Sequence, residues 1–86
     1  MSPPAHVLLT ASQLGSILRA ARKSRSMSQS ALADRLGLSQ SRVSHLEQNP
    51  DDLSVEQLLA WCSLLGLELA ISARGAKVPP STQTDW

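Results

Sequence analysis

The sequence predicts an all-α domain of helix-turn-helix type followed by a short β-strand. Three observations predict it. Thr10, Ser28, Ser39 and Ser54 each stand just ahead of a stretch with apolar residues at helical spacing. Gly37 and Gly66 stand where two of those stretches end. Residues 29–46 also fit a template in which two helices cross at a tight turn, with Ala33 at the crossing and Gly37 at the turn.

Taken in order, residues 1–9 read as a lead-in, 10–73 as the folded domain and 74–86 as a flexible tail. Thr10 with Gln13 has the spacing of a capping box and opens a helix to about Ser24, with Leu14, Ile17, Leu18 and Ala21 on one face. Arg19, Arg22 and Lys23 are placed off that face. Ser28 caps a second helix over residues 29–36, and Ser39 caps a third over residues 40–48. Pro50 ends the third, because the residue before a proline avoids helical angles. Ser54 and Gln57 form a second capping box, opening a helix that Gly66 closes. In "LELAISA", residues 67–73, Leu67, Leu69 and Ile71 alternate with other residues, the period of a strand.

At 86 residues and 42% apolar composition, the chain suits one small domain, the size at which oligomerisation commonly adds stability. One cysteine, Cys62, permits no intrachain disulfide, and with no signal peptide in view the expected setting is the cytoplasm. No apolar run reaches the ~20 residues of a membrane span. The net charge of +1 conceals an uneven distribution: residues 1–47 carry six cations against two acids, and residues 48–86 two against five. The first half suits a polyanion.

The third helix has only Val43 and Leu46 as apolar residues, so its other side is free to enter a DNA major groove. Gln40 carries the donor and acceptor that fit adenine N6 and N7. Ser39, Ser41, Ser44 and His45 are candidates for base edges. Arg42 and Arg22 are assigned to phosphates rather than bases, and Ser28, Gln29 and Ser30, at the second helix's N-terminus, suit another phosphate. The competing reading is a helical hairpin whose polar side meets only water. His6, His45 and Cys62 lack metal-ligand spacing, and neither a phosphate-binding glycine loop nor a nucleophile–base pair is present, which argues against an enzyme and implies no cofactor.

On the fourth helix, Val55, Leu58, Leu59, Cys62 and Leu65 are expected to face the core, leaving Leu64 outside and Trp61 at the border as a contact surface. A lone strand needs a partner. Pairing residues 67–73 across a two-fold axis makes a homodimer and sets two reading helices on an inverted repeat. Local pairing with "HVLL" is the alternative.

From about Gln13 to Ile71 the chain resembles repressors of the Cro/C1 type, the XRE family, and more narrowly HipB antitoxins. The resemblance rests on "SQLGSILRAAR", "SQSALADRLGLSQSRVSHLEQNPD", "LLGLEL" running into a strand, and a tail ending in Trp86. It implies a homodimeric repressor of its own operon that neutralises a HipA-type serine/threonine kinase toxin. It also implies base reading by Ser39, Gln40, Ser41 and Ser44, although a longer basic residue is familiar where Ser39 stands. A terminal tryptophan on a flexible tail suits a pocket on a partner. Rival readings are a stand-alone repressor without a toxin and a protein-interaction module that never meets DNA.

Overall fold

The computed structural model describes residues 7–74. Its helices are α1 (Ala11–Ser24), α2 (Gln29–Leu36), α3 (Gln40–Gln48) and α4 (Val55–Leu65), with a 3₁₀ turn, Pro50–Asp52, between α3 and α4. All four start at the expected caps. Thr10 and Gln13, and Ser54 and Gln57, form reciprocal capping boxes. The Ser28 hydroxyl accepts from the Ala31 N–H at 3.0 Å and Ser39 from the Arg42 N–H at 3.1 Å. Each such cap stabilises its helix by roughly 1 kcal/mol.

Three helices end alike. Gly37 and Gly66 take left-handed angles, φ 70° and 69°, and the next N–H reaches back five residues, from Leu38 to Ala33 and from Leu67 to Cys62. At the end of α1 the left-handed residue is Ser26, φ 56°, with the Met27 N–H bonded to the Arg22 carbonyl at 3.1 Å. A side chain there costs about 1–2 kcal/mol that a glycine would not.

Leu18, Leu32, Val43, Leu46 and Trp61 are fully buried, with Leu14, Leu36 and Leu38 packed around them. Ala33, 2% exposed, lies in the core as the crossing of α2 and α3 requires. Gly15 is the close approach that periodicity alone did not reveal. A Cβ built on it would fall 2.5 Å from the Glu47 carbonyl oxygen and 3.2 Å from Pro50 Cγ. Only glycine lets α1 rest this tightly on the end of α3.

The structure corrects the reading of α4. Trp61 is in the core, and Leu64 is half-buried against it; Val55 and Leu59, expected inside, are 72% and 51% exposed. The helix is apolar on nearly every side, so periodicity allowed two faces, and burying the largest side chain decides between them. The choice leaves the Trp61 indole N–H buried without a partner among the described residues.

Residues 67–73 form no strand, and neither do residues 7–9, the described part of "HVLL". Leu67 is half-buried, whereas Leu69 and Ile71 are exposed, Ile71 at 92%. Residues 1–6 and 75–86, including Trp86, lie outside the described residues.

Candidate nucleic-acid interface

α3 buries Val43, Leu46 and Glu47, and presents Gln40, Ser41, Arg42 and His45 to solvent, with Ser39 exposed at its cap and Ser44 half-buried. Ser28 and Ser30 are exposed at the start of α2, and Gln29 between them is half-buried. Ser39, Gln40 and Ser41, three of the expected base-facing residues, are thus exposed together at the start of α3, with one amide held in a fixed position.

That fixed amide is Gln40, whose Nε2 donates to Gln29 Oε1 at 2.6 Å. Gln29 in turn donates from its Nε2 to Glu47 Oε1 at 3.0 Å. Glu47 receives Arg22 through two donors, Nε at 2.7 Å and Nη2 at 3.1 Å, and the third Arg22 donor, Nη1, meets the Met27 carbonyl at 2.9 Å. An exposed amide on α3 is thus tied, through α2, to a buried ion pair joining α1 to α3. An amide has two N–H donors and one carbonyl oxygen. Gln40 spends one donor on Gln29 and keeps the donor and acceptor that adenine N7 and N6 require.

Burial pushes the Glu47 carboxyl up. The hydrogen bonds from Arg22 and Gln29, with the charges of Arg22 and the more distant Arg19, outweigh it and hold the group below its ordinary range. Burial raises the Cys62 thiol, which lies in the core and is no candidate for chemistry.

Arg22 is a correction. Only 7% exposed, with each of its three nitrogens engaged by Glu47 or Met27, it faces the interior rather than a phosphate. It follows Leu18 by four residues on the core face, and its charge disguised that position; its partner stands 25 residues further along. His45 is drawn toward the turn after α3 instead of toward Gln40: its Nε2 lies 2.6 Å from Asp52 Oδ2. The Ser39 hydroxyl caps the helix and lies 3.3 Å from the Ser41 hydroxyl. Arg25, in the turn after α1, donates its Nε to the Leu65 carbonyl at 2.9 Å. Arg42 remains exposed on α3.

Two capped helices crossing at a small residue around a glycine turn, with the second helix's polar side outward, define a helix-turn-helix domain. The chain matches the helix-turn-helix family over residues 18–71 and belongs to that family, in its XRE type. No curated protein matches it significantly. Among solved structures, a chain of a HipA-HipB-O2-O3 complex superposes with a TM-score of 0.72 at 23% identity, covering 81% of this chain and 99% of that one. A chain of a HipB-O1-O2 complex gives 0.71 at 23%, covering 80% and 100%. A chain described as MDT Protein gives 0.72 at 23%, covering 81% and 99%. At such identity the likeness concerns the fold.

Proposed function

We propose that this chain is a sequence-specific DNA-binding repressor that inserts α3 into the major groove. The observation that carries the reading is the Gln29–Gln40 pair, which presents an adenine-matching amide from a braced position on an otherwise small-residue surface. Ser41 and Ser44 supply further contacts to base edges. Arg42, with Ser28 and Ser30 at the α2 N-terminus, meets phosphates. Gln29 acts mainly through Gln40.

The finer reading is a HipB-like antitoxin. It works as a homodimer on an inverted repeat, represses its own operon and binds a HipA-like serine/threonine kinase. The fold likeness to chains from HipB and HipA-HipB complexes supports it. Leu69 and Ile71, exposed in the single chain, supply the two-fold contact, and Trp86 supplies the anchor for the kinase. Trp61 has no part in either contact, being buried.

Binding measured on DNA selected from a random library, over a range of salt, tests the DNA reading. The expected result is a strong sequence preference, with a salt slope of log K that falls by about 1 when Arg42 becomes alanine. Equal affinity for selected and random DNA would overturn it. For the kinase, deletion of Trp86 is expected to weaken calorimetric binding to a HipA-type kinase without altering the melting temperature or DNA affinity. Equal kinase affinity for both forms would remove Trp86 from the interface.

A further inference from the structure

We propose that Arg25 is a positioning residue that sets the spacing between the two DNA half-sites a dimer accepts; this rests on the DNA-binding, dimeric reading above. Arg25 belongs to the turn between α1 and α2, the turn that leads into the phosphate-facing Ser28. Its guanidinium crosses the molecule and donates from Nε to the carbonyl of Leu65, the last residue of α4, 40 positions later. The cation also suits the negative end of the helix. Gly66 comes next, and any side chain there would collide with the Arg25 guanidinium. The arginine therefore lies over the point at which the chain leaves α4.

Beyond this point little holds the chain. Leu67 is half-buried, and residues 68–74 are all exposed. The direction in which residues 67–73 leave the domain is set at three points: the Leu67 N–H bonded to the Cys62 carbonyl of α4, Leu67 packed against the core, and the Leu65 carbonyl held by Arg25 from the turn before α2. If residues 67–73 join two protomers, that direction sets the angle and distance between two α3 helices. Half-site spacing follows from that distance. An arginine that contacts neither DNA nor the partner subunit then selects which operators fit.

Selection from a random DNA library, run in parallel on the full chain, Arg25→Ala and Lys23→Ala, tests this. Lys23 is an exposed cation at the end of α1 that controls for lost charge. The natural chain and Lys23→Ala are expected to enrich one inverted repeat with a single spacing. Arg25→Ala is expected to enrich the same half-site over two or more spacings, with affinity for the original full site down about tenfold and for an isolated half-site unchanged. Should Arg25→Ala prove unfolded by circular dichroism, Arg25→Lys, which keeps a donor and a cation but loses the planar guanidinium, is read in the same way. An unchanged single spacing in the folded variant overturns the proposal while leaving the DNA reading intact. Equal loss on half-site and full site makes Arg25 a DNA contact and also overturns it. Failure of the natural chain to enrich an inverted repeat removes the dimeric reading and the proposal with it.

Discussion

The α2–α3 pair and the stretch from α4 to Ile71 treat their side chains differently. In the first, every apolar residue of the crossing finds cover within the chain, and a buried carboxylate is answered by an arginine and an amide. In the second, Val55, Leu59, Leu69 and Ile71 stay in water while the tryptophan turns inward. A region that completes its own contacts can hold a rigid shape against a ligand as stiff as duplex DNA. A region that leaves apolar area open at one end is suited to being finished by a second protein chain.

The largest expected effect breaks the self-contained region. Glu47→Ala strands the Arg22 charge inside the core and is expected to cost about 3–5 kcal/mol, read as a lowered melting temperature. The same carboxyl gives a pH dependence. Its value is depressed in the folded state, so its stabilisation is fully present above the unfolded carboxylate value of about 4.3 and is lost as pH falls through the lower folded value. Urea melts between neutral and acid pH are expected to show that loss, and Glu47→Gln to flatten it; identical pH slopes would remove the ion pair from the account.

Next is Gly15→Ala, which drives a methyl against the Glu47 carbonyl and is expected to cost about 1–3 kcal/mol in thermal melts. Ile71→Pro sharpens the contrast from the other side. Ile71 is 92% exposed, so the melt of an isolated protomer is expected to change by less than about 0.5 kcal/mol, while sedimentation reports loss of the dimer. A dimeric Ile71→Pro would move the two-fold contact elsewhere. Ser26→Gly goes the other way: it relieves a left-handed serine and is expected to stabilise by about 1 kcal/mol, with DNA affinity unaltered.

What the sequence made legible follows the same division. Caps are local: Thr10, Ser28, Ser39 and Ser54 bond N–H groups three residues on, so a few adjacent letters suffice to place a helix start. The Ala33 and Gly37 positions were equally readable, because the crossing constrains neighbours in the chain. Arg22 was not, since its burial depends on Glu47, 25 residues away, and charge was taken as a sign of exposure. A sharper signal existed: Arg22 continues the Leu14–Leu18 row at four-residue steps. Gly15, a helix-breaking residue inside a well-capped helix, was a similar unread sign. For Trp61 periodicity was degenerate, and side-chain volume was the better guide. Glu47, read as part of α3's polar surface, is 2% exposed. The Gln29–Gln40 bond joins the first residues of two helices, and only their relative placement brings the amides together.

The central claim is that α3 reads bases through a braced glutamine. Gln40→Ala and Gln29→Ala, each measured on selected operator DNA and on random DNA at one salt concentration, test it most directly. Gln40→Ala is expected to lose about 1–3 kcal/mol on the operator and almost nothing on random DNA. Gln29→Ala is expected to lose a smaller part of the same preference, because it removes the brace and leaves the reader. Equal losses on both DNAs, or no loss on the operator, would contradict the claim and leave α3 a solvated face.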